Sequence, residues 1–427
     1  MITKKIIPNT VSGRLKMPPS KSVSHRMIIA AALSDGLCSI GGVLLSDDIR
    51  ATIKACEALG TRIQLNRQAG GLYQLSVIGC GMPDAKDKTI DCSESGSTLR
   101  FLVPIAGIDA KGTILTGRGR LPERPMKPYH DAFEGTSLKL AKLASQEELP
   151  LRLSGKLESG VYHLPGNVSS QFVTGLLFAL PLVDGDSEIV IDGVLESAPY
   201  VDITIDVIKK FGVMITTDEH RRFLIPGRQR YKSADMTVPG DWSQAAFYAA
   251  MASFGGRLHL TGLDADDVQG DRVIVDILRK MGGRLAYTQN GLFVSASDLH
   301  GKDIDVSACP DLVPILAVIG AAAKGTTRIL GARRLRLKES DRLAAVTDTL
   351  GRLGAIIESD EDSLTIQGGK KLFGGKVSAY NDHRIVMAMT AAASLCAHPV
   401  IIEGCEAVAK SYPDFFSDYE TIGGIVL

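Results

Sequence analysis

Six times along the chain the same grammar recurs, and this repeat restricts the fold more than any single motif does. In each copy a strand ends, a polar turn opens an apolar helix of small residues, and a second strand closes on glycine. The helices open at Ser20-Lys21-Ser22, Ser95-Gly96-Ser97, Ser169-Ser170-Gln171, Asp241-Trp242-Ser243, Pro310-Asp311 and Asn381-Asp382-His383. The closing glycines, Gly42, Gly117, Gly193, Gly262, Gly331 and Gly404, are separated by 75, 76, 69, 69 and 73 residues. A second helix follows several of them and ends at its own glycine, as at Gly60, Gly212, Gly282 and Gly354, where a C-cap needs positive φ. The spacing predicts six β-α-β-α-β-β units.

A chain of 427 residues is too long for one core. Three units per half would give two similar α/β domains, dividing near residues 236–240, with a ligand in the cleft between them. A solenoid would instead call for atypical polar caps at both ends. The opening strand, Ile2 to Leu15, precedes the first full unit, and its composition leaves open which half it joins.

Charge narrows the partners. Lys and Arg number 48 against 48 Asp and Glu, so no global field favours nucleic acid or an anionic membrane. The start of the chain lacks the apolar core of a signal peptide, and the apolar runs 312–323 and 385–397 are too short to span a bilayer. Seven scattered cysteines without a CxxC pair suit a reducing cytoplasm, and the eight histidines show no HxxxH or HExxH spacing for a metal. Neither a GxSxG elbow nor a GxxxxGK[ST] loop is present.

The chemistry concentrates in the repeat turns. Hydroxyl residues cap helix starts, which carry partial positive charge, and Lys21 with Arg26 one turn on makes such a start an anion site. Equivalent turns carry Arg100, Ser169, Ser170, Gln171, Asp311, His383 and Arg384. Loops after the closing glycines add Arg118, Arg120, Arg124, Lys127, Ser197, Tyr200, the run 333–342 and Lys410. Fixed cations, hydroxyls and helix ends gathered in a neutral protein fit small, multiply charged anions. Any one of these clusters alone would read as a solvated loop; the coincidence of six favours a polyanion site. Asp311 and Glu339 stand among the cations, where a carboxylate serves either as a structural ion pair or as a general acid or base. The residues by themselves reach as far as a transferase or lyase acting on phosphorylated acids.

Taken together, Pro18-Pro19-Ser20-Lys21-Ser22, Ser95-Gly96-Ser97-Thr98-Leu99-Arg100, Arg124-Pro125-Met126, Ser169-Ser170-Gln171, Lys338-Glu339-Ser340-Asp341-Arg342, Asn381-Asp382-His383-Arg384 and Lys410-Ser411-Tyr412-Pro413 resemble the 5-enolpyruvylshikimate-3-phosphate synthase family, in order, from about residue 10 to 420. The resemblance implies an α/β enolpyruvyl transferase fold: two similar domains of three βαβαββ units, residues 21–238 and residues 1–20 with 239–427, the chain crossing twice. It implies transfer of the enolpyruvyl group of phosphoenolpyruvate to the 5-hydroxyl of shikimate 3-phosphate, with release of phosphate, in aromatic amino acid biosynthesis. It also implies a cytoplasmic monomer, a target of glyphosate, that needs no metal or organic cofactor.

By motif match, Lys21, Gly96, Arg124, Gln171, Arg342, Arg384 and Lys410 would meet phosphoenolpyruvate. Lys21, Ser22, Arg26, Ser169, Ser170, Gln171, Ser197, Tyr200, Asp311 and Lys338 would meet shikimate 3-phosphate. Asp311 is expected to take the 5-hydroxyl proton, and Glu339 with Lys21 to handle the proton at the methylene carbon. The chain departs from the family pattern at Pro19, at Glu94 (often Asn) and at Arg118 (often acidic). The sister family acting on UDP-N-acetylglucosamine usually carries a cysteine in the loop that here reads Arg118 to Pro125 without one. A non-catalytic binding protein would be expected to have lost Lys21, Asp311, Glu339 or Lys410, and all four are present.

Overall fold

The computed structural model describes residues 1–427. Nine helices of ten or more residues run through it: α1 Lys21–Ala32, α2 Asp47–Ala58, α3 Gly96–Ala106, α4 Ser170–Ala179, α5 Ala198–Lys210, α6 Trp242–Ser253, α7 Val313–Ala322, α8 Arg342–Arg352 and α9 His383–Ala392. The polar turns of the repeat cap them. Ser95, Ser169, Asp241 and Asp382 each accept a backbone N–H of the following turn through the side chain, which satisfies donors that a helix start leaves open.

Two kinds of helix alternate. All twelve residues of α6 and all ten of α9 are buried, as are ten of the twelve in α1. A helix apolar or small on every face belongs inside a core. Others are amphipathic: in α8, Leu343, Val346 and Leu350 are buried, while Arg352 in its last turn is exposed. After such helices Gly60 and Gly354 take φ of +104° and +96°, which turns the chain into the next strand.

The strands form six four-stranded sheets of one design, with one parallel pair and two antiparallel pairings each. Side chains alternate in burial, as where Leu151 and Leu153 point inward and Arg152 outward. The repeat is regular except in three places, one of them the insertion of Thr3–Ile7 into the sheet of the sixth repeat. The strand that opens the first repeat, Ser12–Lys16, pairs in parallel with Arg257–Thr261 of the fourth. The strand that opens the fourth, Asp235–Thr237, pairs in parallel with Leu37–Val43 of the first.

The expected single strand from Ile2 to Leu15 is in fact two. Thr3–Ile7 lies antiparallel to Val400–Glu403, and Ser12–Lys16 belongs to another sheet. Pro8, which has no N–H for a ladder, stands just past the end of the first.

The chain divides into two compact units, Lys21–Val238 and Met1–Ser20 with Pro239–Leu427. The first contains α1 to α5 and three sheets, and the second contains α6 to α9 and three sheets. In the first unit α3 packs on α4, with the Phe101 and Phe178 rings 5.9 Å apart. No helix is long and apolar enough to cross a membrane.

Candidate active site

In the unit Lys21–Val238 the expected residues fall into two connected groups. The first surrounds Arg26, which is 3% exposed. Its Nε donates to Thr204 Oγ1 on α5 at 2.8 Å, Nη1 to the Ser22 carbonyl and Nη2 to the Tyr200 carbonyl, both at 2.8 Å. The guanidinium also lies 5.1 Å from the centre of the Phe101 ring. All these partners are neutral and no carboxylate pairs with it. Burial draws its pKa down to about 9, against a smaller opposing influence of Tyr200. An enclosed cation held only by neutral groups is a receptor for an anion.

Ser22 and Tyr200 thus join Arg26 through their backbone. Ser197, just ahead of α5, adopts φ +57° and its side chain does not cap the helix. Ser169 caps α4 by accepting the Gln171 N–H at 3.3 Å, and Ser170 is buried behind it.

The second group is built on α3. Gln171 accepts from Arg100 Nη1 at 2.7 Å and donates to Ser97 Oγ at 2.9 Å. Arg100 also reaches the Pro125 carbonyl at 3.2 Å and stacks 4.9 Å from the Phe172 ring. It thereby ties the loop carrying Arg124 to α4. Gly96 is required here by contact: a β-carbon on it would lie 2.7 Å from Cζ of Arg124. Glycine lets this guanidinium rest on the first turn of α3, where open N–H groups also attract anions. Lys21 pairs with Asp48 of α2 at 2.7 Å. Glu94, the departure from the family pattern, is folded over Gly119, where a β-carbon would meet its carboxyl at 2.7 Å.

In the other unit, Asp311, Lys338, Glu339, Arg342 and Arg384 form one cluster. Arg342 is fully buried and fans out to three carboxylates: Asp311 at 2.9 Å, Glu339 at 2.6 Å and Asp382 at 2.8 Å. Burial alone would lower its pKa, yet Asp382, Glu339 and Asp311 together raise it. Arg384 holds Asp311 from a second side, through the carboxylate at 2.9 Å and the backbone carbonyl at 3.0 Å. Lys338 approaches to 3.5 Å. Burial favours the protonated form of Asp311, but Arg384, Lys338 and Arg342 outweigh it, as Glu339 only weakly opposes them, and the carboxyl sits well below the usual range. For Lys338, burial prevails over Asp311 and draws its pKa to about 8. Lys410 donates to the Asn381 carbonyl at 2.7 Å, next to Asp382.

Reading the sequence missed the groups that hold these side chains in place. Asp382 caps α9 while accepting from Arg342 and from Ser340 Oγ at 3.0 Å. Asp48 performs similar service for Lys21, and Arg100, already singled out as a turn cation, turns out to do so for Gln171. Asp382 stands two residues before Arg384 in the same motif, so its position was a signal. Asp48 lies beside Asp47 in the first turn of α2, and nothing in its local sequence pointed to Lys21.

A family model described as EPSP synthase (3-phosphoshikimate 1-carboxyvinyltransferase) matches residues 6–419. A protein of Clostridium novyi named 3-phosphoshikimate 1-carboxyvinyltransferase is 48% identical, covering 99% of this chain and 98% of its own. One of Clostridium kluyveri with the same name is 47% identical, over 98% and 97%. A solved EPSP synthase from Acinetobacter baumannii superimposes with a TM-score of 0.81 at 25% identity, over 100% of this chain and 99% of that one. Sequence, repeat architecture and this match over nearly the whole length agree: the chain belongs to the EPSP synthase family.

Proposed function

We propose that the protein transfers the enolpyruvyl group of phosphoenolpyruvate to the 5-hydroxyl of shikimate 3-phosphate and releases inorganic phosphate. The observation that carries this reading is the convergence of Lys338, Arg342 and Arg384 on Asp311. Such a cluster offers cations to an anionic substrate and a carboxylate to a moving proton. In this assignment Lys21, Ser22, Arg26, Ser169, Ser170, Gln171, Ser197, Tyr200, Asp311 and Lys338 hold shikimate 3-phosphate. Lys21, Gly96, Arg124, Gln171, Arg342, Arg384 and Lys410 hold phosphoenolpyruvate.

The reaction begins as the methylene carbon of phosphoenolpyruvate gains a proton and the 5-hydroxyl oxygen bonds to the neighbouring carbon. The hydroxyl proton passes to Asp311. The tetrahedral adduct then breaks its carbon–oxygen bond to phosphate and loses a methyl proton, which restores the double bond. Glu339 and Lys21 handle the proton at that carbon. In its cluster Asp311 is a weak base, because three cations stabilise its charge. Anionic substrate groups that engage Arg342 and Arg384 compete for those cations and raise its basicity just where a proton must be accepted. The cations also stabilise the charge that grows on the departing phosphate.

The same reading makes the protein a monomer working in the cytoplasm on two small anions, with neither nucleic acid nor membrane as partner. Balanced charge and seven free thiols support it. The test is phosphate release from phosphoenolpyruvate with either shikimate 3-phosphate or UDP-N-acetylglucosamine as acceptor. Release is expected with the shikimate phosphate alone and is abolished in Lys21→Ala. Release only with the sugar nucleotide would move the chain to the sister activity.

A further inference from the structure

We propose that His25 is a positioning residue for the phosphoenolpyruvate side of the site, acting through a directed chain of hydrogen bonds that links the second turns of α1 and α2 to the first turn of α3. This rests on the functional reading above and goes beyond it, because the His25 ring is hydrogen-bonded to Thr52, which is not among the residues assigned to substrate.

The chain has four members, all buried at 0–1% exposure: His25, Thr52, Thr98 and Ser95. His25 Nδ1 lies 2.7 Å from Thr52 Oγ1, which lies 2.6 Å from Thr98 Oγ1. Thr98 Oγ1 donates to Ser95 Oγ at 2.8 Å, and Ser95 Oγ also accepts the Thr98 backbone N–H at 3.2 Å as the cap of α3. Each hydroxyl has a single proton to give. Thr98 gives its own to Ser95, so Thr52 must donate to Thr98, and His25 must donate to Thr52 from Nδ1–H. The ring's other nitrogen, Nε2, is buried without a hydrogen-bond partner. A second proton there would be an unsatisfied buried donor, so the chain selects the neutral Nδ1–H tautomer. Burial, and then the charges of Lys21 and Arg26, press the ring in the same direction.

Its geometry explains what the chain is for. Lys21 and His25 are one turn apart on α1, and their partners Asp48 and Thr52 are one turn apart on α2. Two rungs thus fix α1 against α2, one charged at Lys21 and one neutral at His25. From Thr52 the chain continues to the cap of α3, whose next residue is Gly96, the seat of Arg124. Arg26, by contrast, is anchored on α5. Loss of the neutral rung should therefore disturb Lys21, which is assigned to both substrates, together with Gly96 and Arg124, which are assigned to phosphoenolpyruvate alone. The anchoring of Arg26 on α5 stays in place, so the loss falls mainly on phosphoenolpyruvate.

The test is steady-state kinetics of His25→Phe, His25→Asn and Thr98→Val, with folding of each checked by circular dichroism and thermal melting. Phenylalanine keeps bulk but removes the donor. Asparagine places an N–H donor the same number of bonds from the backbone as Nδ1. We expect KM for phosphoenolpyruvate to rise about tenfold in His25→Phe and Thr98→Val, with KM for shikimate 3-phosphate within about twofold of wild type, a tenfold change being about 1.4 kcal/mol. His25→Asn should restore most of the loss. Equal change in both KM values, no change, or an Asn variant as impaired as Phe would overturn the proposal. Folded wild-type protein inactive with both substrates would overturn the functional reading instead. The chain is then judged by nitrogen NMR of wild-type His25: Nδ1–H that does not titrate between pH 5 and 8 supports it, and Nε2–H or a titrating ring refutes it.

Discussion

At the residue scale the main lesson is that assigned side chains are held by groups whose partners lie far along the chain. Glu339 and Arg342 are three apart, so their pairing could be read locally. Asp382 is forty residues from Arg342 and Asp48 is 27 from Lys21, and such pairs exist only once helices pack. Arg342→Met would leave three carboxylates without their shared cation. A buried pair broken in this way costs about 3–5 kcal/mol, and urea unfolding should show the transition of that unit displaced by this amount. An unmoved midpoint would mean the carboxylates relax into solvent or take up protons. Lys338 makes a pH prediction. Burial penalises its charged form and brings its pKa to about 8, so the cation is present below that pH and lost above it. Plots of kcat/KM for shikimate 3-phosphate should fall through about pH 8, and Lys338→Arg should move that limb to higher pH, since arginine stays charged.

At the scale of elements, helix starts and glycine caps were legible because each follows from local chemistry: a hydroxyl or carboxylate before an apolar run, a glycine after it. The exchange of opening strands between the first and fourth repeats was not legible from pattern. Ser12–Lys16 and Asp235–Thr237 are short and their partners lie some two hundred residues distant, so nothing local decides the pairing. How closely helices approach was equally invisible, and two glycines show why it matters. Glycine to alanine in a helix stabilises by up to about 1 kcal/mol from propensity alone. A β-carbon on Gly351 in α8 would meet nothing within 4 Å, and Gly351→Ala should raise stability by about that much. Gly175 in α4 faces the Arg100 carbonyl and the Tyr129 hydroxyl at less than contact distance, with Pro104 Cγ at 3.0 Å. There the same substitution should destabilise by about 1–3 kcal/mol, as overpacking does. Thermal or urea unfolding of the two variants would settle the sign of each.

For the whole molecule, a sixfold repeat with balanced charge explains how a neutral protein gathers cations without a global field. Each repeat delivers a helix start, four of them capped by a side chain at Ser95, Ser169, Asp241 and Asp382, and the functional side chains sit at those starts or in the loops that follow the next strand. The central claim is that the protein breaks the carbon–oxygen bond of phosphoenolpyruvate through a tetrahedral adduct, rather than its phosphorus–oxygen bond. Phosphoenolpyruvate carrying oxygen-18 at the bridging position, incubated with shikimate 3-phosphate, tests this directly by mass spectrometry of the products. The account predicts that the label leaves entirely in inorganic phosphate while the shikimate product gains an unlabelled enolpyruvyl ether. Label found in pyruvate, with shikimate 3-phosphate unchanged, would contradict it.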